Sequence, residues 1–300
     1  MHCSSRLTIV GALAIFLSTF VLLPGSPARA ATPGDQAGVF ASGSVRYLFR
    51  ICSTCPEPTG TLDSQSDGAF GSLGPAIAEG FGARGEGEAS FAARARILGT
   101  AGLPELRADA RATPGIGTHE GFSEPGFYDF NAVAASRAAQ YYTYTGDTTQ
   151  TYTMTYSVSG FAGSTLDNPT PEDEQLISVG AVVTLFDDGD KLGGELPLGH
   201  VVDIDRISVN GSAHTFRESG SVSITLDPGD TYYLAASLSA QVSIGGQGIA
   251  DAGQTLTIAF TEGDTSQLDV LLAVPEPSTY ALLSVGFAFI CLMVRRSGRV

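Results

Sequence analysis

Residues 234–244 have the sequence LAASLSAQVSI, in which apolar side chains occupy every second position from Leu234 to Ile244. A β-strand turns successive side chains to opposite faces, so this period of two indicates a strand with one buried and one wet face. The Asp-Pro-Gly-Asp turn at 227–230 precedes it, and Val222, Ile224 and Leu226 alternate before that turn. This part of the chain therefore predicts antiparallel strands joined by a tight turn.

The same alternation recurs along the chain, and the intervening segments are rich in glycine, aspartate and proline. Many short strands separated by such turns predict an all-β fold, an antiparallel β-sandwich or jelly-roll-like body. Residues 131–140 (NAVAASRAAQ) are predicted as strand, although their alanines would suit a helix equally well. Residues 169–174 (PTPEDE) are predicted as a polar loop. The alternating stretches are 85–97, 106–111, 151–158, 222–226, 234–244 and 256–260.

Composition limits the class of protein. The chain has 300 residues and a mass of 31.0 kDa, enough for one large domain or two small ones. It contains 31 Asp and Glu against 16 Lys and Arg, a net charge of −15, which excludes a nucleic-acid partner. Hydrophobic residues make up 43%, which rules out disorder of the whole chain.

The first 30 residues have the three parts of a secretory signal peptide. A short basic start is followed by an uncharged apolar run at 7–23 and then by Ala28-Arg29-Ala30, the small-x-small pattern that signal peptidase recognises. We expect cleavage between Ala30 and Ala31. The alternative is an N-terminal membrane anchor.

The other end carries a second apolar segment. Residues 278–294 contain no charged side chain and are long enough to form one transmembrane helix at the short limit. Arg295, Arg296 and Arg299 follow at once, and the positive-inside rule keeps such a cluster cytoplasmic. This topology places the body outside the cytoplasm. A buried core helix is the alternative, but it would show polar positions every third or fourth residue.

Pro275, Glu276 and Pro277 stand immediately before that apolar segment. The triplet, the short apolar segment and the terminal arginines together resemble the PEP-CTERM sorting signal. The resemblance implies that an exosortase, a membrane-embedded enzyme of Gram-negative, exopolysaccharide-producing bacteria, recognises the triplet and cuts the tail. The remaining alternative is a proline stop above a permanent anchor.

These features divide the chain into three parts. Residues 1–30 are the signal peptide, residues 31–273 the β-sandwich-like extracytoplasmic domain, and residues 274–300 the sorting signal. Within the last part lie the motif at 275–277, the transmembrane helix at 278–294 and the basic tail at 295–300. The expected precursor is anchored in the inner membrane with its body on the periplasmic side. The processed body then reaches the cell surface or extracellular matrix.

Two cysteines remain between the two ends, Cys52 and Cys55. A small structural disulfide is the favoured interpretation in an oxidising compartment, and redox and metal roles are the alternatives. Its loop is short, so we expect it to stabilise the fold little. The three histidines of this region, His119, His200 and His214, show no metal-ligand spacing and are interpreted as ordinary surface or loop residues.

Asp187, Asp188 and Asp190 could offer oxygen ligands to calcium, but they lack the EF-hand spacing and its terminal glutamate. A solvated turn is the favoured interpretation, and we expect no cofactor. The chain has no G-x-S-x-G motif and no other pattern that nominates a catalytic residue.

The sequence therefore favours an exported, non-enzymatic protein of the cell surface or exopolysaccharide matrix. Its expected partners are signal peptidase, an exosortase, the membrane and a polysaccharide. The body could bind polysaccharide through exposed tyrosines near Tyr141, Tyr142 and Tyr144, because aromatic faces stack on sugars. The alternative is that these tyrosines only stabilise the sheet through cross-strand contacts. The alternatives are an extracellular hydrolase of the glycosidase or esterase type, or a carbohydrate-binding adhesin with a permanent anchor.

Overall fold

The computed structural model describes residues 37–51, 58–70, 73–99, 101–187, 201–253 and 255–270. These residues form fifteen strands, one short α-helix and one 3-10 turn at Thr265–Gln267. The strands are β1 Gly38–Arg50, β2 Thr59–Phe70, β3 Ala76–Arg84, β4 Gly87–Leu98, β5 Leu103–Thr113, β6 Gly115–Gly117, β7 Gly126–Tyr144, β8 Gln150–Ser164, β9 Ile177–Asp187, β10 Val201–Asn210, β11 Phe216–Leu226, β12 Thr231–Val242, β13 Gly248–Asp251, β14 Leu256–Glu262 and β15 Leu268–Val270.

The strands form two sheets, and every strand pair within the described ranges is antiparallel. Sheet A has the order β10-β9-β12-β7-β1-β2, with β6 and β15 also paired to β7. Sheet B has the order β11-β8-β13-β5-β4-β3, with β14 paired to β5 and β8. The predicted all-β, antiparallel class is confirmed.

The alternating segments become strands because one side of each is buried. In β12 the even positions from Leu234 to Val242 are all buried, whereas Ile244, past the end of the strand, is 36% exposed. In β4, Ala89, Phe91, Ala93 and Ala95 are buried while Arg94 and Arg96 between and beyond them are exposed. The period of two therefore identified the buried face correctly in both strands.

The two sheets share a single core across which they face each other. Much of that core consists of alanine, so the sheets can approach closely wherever small side chains meet. Gly43 in β1 lies under the ring of Phe91 in β4, and a Cβ at position 43 would collide with that ring. Buried tyrosine side chains also belong to this core, among them Tyr142, Tyr144, Tyr152, Tyr156 and Tyr232.

The alanine-rich segment 131–140 lies inside β7, the central strand of sheet A, so its predicted strand conformation is confirmed. It pairs with β1 on one side and with β12 on the other. Pairing on both sides outweighs the helix propensity of its alanines, because tertiary contacts override such weak local preferences.

The predicted loop at 169–174 is wrong in part. Pro171–Gln175 form a one-turn helix, α1, that begins with a capping box. The Thr170 hydroxyl accepts the Asp173 backbone N–H at 3.2 Å, and the Asp173 carboxylate accepts the Thr170 N–H at 2.8 Å. Proline at the first helical position adds to this start signal.

Both ends of the described chain lie on the same edge of β7. Gly38 at the start of β1 is opposite Ala139, and Val270 at the end of β15 is opposite Tyr142. β12 occupies the other edge of β7 at these positions. The chain therefore enters and leaves sheet A within about 10 Å, the rise of three strand residues.

Among the described residues no helix is both long and apolar enough to cross a membrane. The predicted span at 278–294 and the signal peptide at 1–30 lie outside those residues.

Candidate functional site

Most residues singled out from the sequence lie outside the described part of the chain. Asp187 is the last residue of β9. Within the described ranges no group of three or more His, Cys, Asp and Glu side chains could hold a metal ion. The residues outside are Ala28, Ala30, Ala31, Cys52, Cys55, Asp188, Asp190, His200, Pro275, Glu276, Pro277, Arg295, Arg296 and Arg299.

The two cysteines lie in sequence between two described strands. Residues 52–57 connect β1 to β2, which are antiparallel neighbours, and Leu48 pairs with Thr59 at that end. The backbone N–H of Phe49 donates to the carbonyl of Pro58 at 2.9 Å. Cys52 and Cys55 therefore belong to the connection between two paired strands.

The assignment of sugar binding to exposed tyrosines near 141–144 is wrong, because all three of these side chains are buried. Tyr142 faces the core and stacks on Tyr232 of β12, with ring centroids 5.0 Å apart, and its hydroxyl donates to the Gly102 carbonyl at 3.2 Å. Tyr141 points to the opposite side of β7 and packs edge-on against Tyr233. These rings serve cross-strand packing, which leaves no aromatic face free for a sugar.

A different cleft opens at the far end of β7. It has a volume of about 570 Å³, and we call it the distal cleft. Strands β1, β3 and β7 and the loop before β7 contribute to its walls. Its lining includes Tyr47, Arg84, Thr118, His119, Glu120 and Tyr128.

A tight turn fixes one wall of the distal cleft. Arg84 is the last residue of β3, and the chain then turns at Gly85, whose φ is +59°. The Glu86 N–H donates to the carbonyl of Ile116 in β6 at 3.0 Å. A side chain at position 85 would be strained by its φ and would meet the backbone of Ile116, so this contact requires glycine.

An aromatic cluster forms the floor. The His119 ring stacks on Phe49 with centroids 5.1 Å apart, and Tyr128 packs against both Phe49 at 4.7 Å and Tyr47 at 5.7 Å. The Tyr128 hydroxyl donates to the Thr118 carbonyl at 2.8 Å and lies 3.2 Å from His119 Nδ1. His119 is a loop residue, as expected, but its ring is held by side chains of β1 and β7.

The cleft carries one cation and one carboxylate. The Arg84 guanidinium lies 5.7 Å from the centroid of the Tyr47 ring, in cation–π contact. No salt bridge among the described residues includes Arg84. Glu120 is exposed at the rim. Burial raises the pKa of the Tyr128 phenol, and the charge of Arg84 offsets part of that rise, so Tyr128 is a neutral hydroxyl at pH 7.

A second charged cluster lies on the outer face of sheet B. Asp109 in β5 is directly opposite Asp251 in β13. Arg111 contacts Asp109 at 3.2 Å and Asp251 at 3.5 Å. Burial raises the pKa of the Asp109 carboxyl, and its hydrogen bond from Arg111 acts in the opposite direction. The cluster links two strands through one arginine.

Comparison with known proteins concerns the tail. Residues 273–297 match the model of the PEP-CTERM protein-sorting motif. The match confirms the resemblance on the segment that suggested it, which is under a tenth of the chain. No curated protein and no solved structure matches the chain.

Proposed function

We propose that this is an exported, non-enzymatic protein of the cell surface or exopolysaccharide matrix, sorted and processed through its C-terminal segment. The match of residues 273–297 to the sorting motif carries the proposal. The Pro275-Glu276-Pro277 triplet is the recognition sequence for an exosortase, and the segment at 278–294 holds the precursor in the inner membrane. The acidic composition suits a body that stays soluble outside the cytoplasm.

The test is mass spectrometry of the carboxyl end of the protein recovered outside the cells. We expect a product that has lost residues 278–300. Replacing the triplet by alanine should leave the full-length chain associated with the membrane. Pro171→Ala with Glu172→Ala is the matched control, because both residues are exposed in α1, and we expect normal processing.

Two results would count against the proposal. Extracellular wild-type protein that ends at Val300 would show that the tail is not removed. Normal processing of the triple-alanine variant would show that the triplet is not recognised. A wild-type chain that stays in the membrane intact would instead identify a permanent anchor.

A hydrolase is the second candidate, and one observation favours it. Asp109 and Asp251 form a carboxylate pair in which burial raises the pKa of Asp109, and glycosidases use a pair of carboxyl groups. Arg111 contacts both carboxylates, which fits an ion-pair network better than an acid–base pair. A panel of glycoside and ester substrates should show no turnover. Turnover that Asp109→Asn abolishes would make the protein an enzyme.

A further inference from the structure

We propose that the distal cleft is a binding site for an uncharged oligosaccharide segment of a polysaccharide. This assignment rests on the proposed function for its setting outside the cell. It names the ligand class and the residues that bind it, and it replaces the buried tyrosines at 141–144 as the site.

The lining has the chemistry that sugar rings require. Sugars present C–H faces that pack on aromatic rings and hydroxyls that both donate and accept hydrogen bonds. Tyr47 is half-buried and lines the cleft, with the guanidinium of Arg84 beside its ring. Arg84 supplies donors to sugar hydroxyls, and the carboxylate of Glu120 supplies acceptors. A volume of about 570 Å³ is within the range of small-molecule sites.

Charge decides between neutral and acidic sugars. Arg84 and Glu120 balance each other within the lining. The whole chain carries a net charge of −15, which repels polyanions over longer distances. An uncharged saccharide meets neither penalty, so we expect it to bind more tightly than a uronate of the same length.

The site is held in shape before any ligand arrives. Phe49, His119 and Tyr128 pack against one another, and the Tyr128 hydroxyl is fixed by Thr118 and His119. The hydrogen bond from Glu86 to Ile116 fixes the turn that follows Arg84. Such preorganisation lowers the entropy lost on binding.

The position of the cleft fits a surface role. Tyr128 lies fourteen residues along β7 from Tyr142, where Val270 ends the described chain, a separation of about 45 Å. The five residues from Val270 to Pro275 can span at most about 18 Å. A body held through Val270 therefore carries the distal cleft at the opposite end of β7.

The experiment measures binding of the exported protein to neutral and uronate oligosaccharides on a glycan array, followed by titration calorimetry. Tyr47→Leu removes the aromatic face, and Arg84→Gln removes the cation. Each should weaken binding of the neutral oligosaccharide at least about tenfold. Phe81→Leu and Arg217→Gln are the matched controls, because both replace exposed residues outside the cleft. We expect affinities within about twofold of wild type for both.

The inference fails if no saccharide binds, if both cleft variants bind like wild type, or if uronates bind more tightly than neutral sugars. Processing of the tail is measured on the same preparations. A processed protein that binds no sugar would overturn this inference alone. A protein that binds sugar but keeps its tail through Val300 would overturn the proposed sorting and leave the cleft assigned.

Discussion

The carboxylate of Asp205 in β10 accepts a hydrogen bond from the backbone N–H of Ser221 in β11, with an N–O distance of 3.1 Å. β10 and β11 are edge strands of different sheets, so this bond joins sheet A to sheet B at one lateral margin. Gly220 permits it, because a Cβ at this position would collide with the Asp205 carboxylate and the Tyr156 ring.

Gly220→Ala should therefore lower the free energy of unfolding by about 1–3 kcal/mol, the usual cost of forcing an extra methyl into a packed site. In an Asp205→Ala background the same substitution should cost less, because one of the two colliding groups is gone. Denaturant unfolding of the four chains measures the coupling. Ser219→Ala, at the exposed neighbouring position, should stay within about 0.5 kcal/mol of wild type. Equal costs of Gly220→Ala in both backgrounds would contradict the contact.

At the opposite margin, aspartate side chains of β2 join sheet A to β3, the edge strand of sheet B. Asp67 accepts the N–H of Ile77 at 2.9 Å, and Asp63 accepts the N–H of Phe81 at 3.2 Å. These donors belong to β3, an edge strand, and without such acceptors its outward N–H groups could pair with another chain.

Asp63→Ala with Asp67→Ala should expose that edge and cause concentration-dependent self-association in sedimentation velocity. We also expect a loss of about 1–2 kcal/mol in the free energy of unfolding from the two hydrogen bonds. The Asp→Asn double variant keeps an acceptor oxygen at both positions and should remain as monodisperse as wild type. Association of the Asn variant to the same extent would show that charge, and not hydrogen bonding, protects the edge.

Gln140 is fully buried in the core side of β7, and neither its Oε1 nor its Nε2 has a hydrogen-bond partner among the described residues. Gln140→Met should raise the free energy of unfolding by about 1 kcal/mol, because it removes an unpaired buried amide at nearly constant volume. Gln241→Met is the control, since the Gln241 amide donates to Ser243 Oγ at 2.9 Å, and it should not stabilise. Destabilisation by Gln140→Met would indicate a buried water that satisfies the amide.

Tyr152 makes stability depend on pH in alkali. Burial, followed by the nearby Tyr144 and Asp264, raises its pKa to about 12 from the ordinary value of 10.0. The folded state therefore holds this proton where the unfolded state has lost it. The resulting stability is complete below pH 10 and is lost as the pH rises from about 10 to about 12.

Denaturant unfolding across this pH range should give a smaller slope of stability against pH for Tyr152→Phe than for wild type. Phenolate absorbance of the native protein should also rise at a higher pH than that of the unfolded chain. Identical slopes for the two proteins would show that Tyr152 does not contribute to the pH dependence of stability.

Cys52 and Cys55 should resist thiol reagents in the native exported protein until a reductant is added. Cys52→Ser should leave Cys55 reactive and change the free energy of unfolding little, because the loop is short. Labelling of both thiols in the untreated wild-type protein would exclude the disulfide.

Strand positions could be predicted from this sequence because burial on one face leaves a period of two in the residues themselves. The buried even positions of β12 and β4 follow it directly. The same period places Tyr142 and Tyr144 on the core side of β7, so their burial could have been predicted from the sequence. The burial of Tyr141 could not have been predicted in this way, because its ring packs against Tyr233, which is ninety-two residues away in the sequence.

The distal cleft could not be predicted from local sequence. Its floor joins Phe49 of β1, His119 of a loop and Tyr128 of β7, and their spacing has no motif. Only the register of β1 against β7, which pairs Phe49 with Tyr128, brings them together. The short helix α1 did have a local signal, since Thr170 and Asp173 have the spacing of a capping box.

The placement of β15 has a mechanical consequence. Wherever the carboxyl end is held, load enters the body through a strand of three residues paired only with Tyr142, Thr143 and Tyr144 of β7 within the described chain. β15 has only three residue pairs with β7, whereas β7 is flanked along most of its length by β1 and β12. Tension on the carboxyl end should therefore separate β15 from β7 first. The freed strand lengthens the connection to the anchor before force reaches the pairs of β7 with β1 and β12.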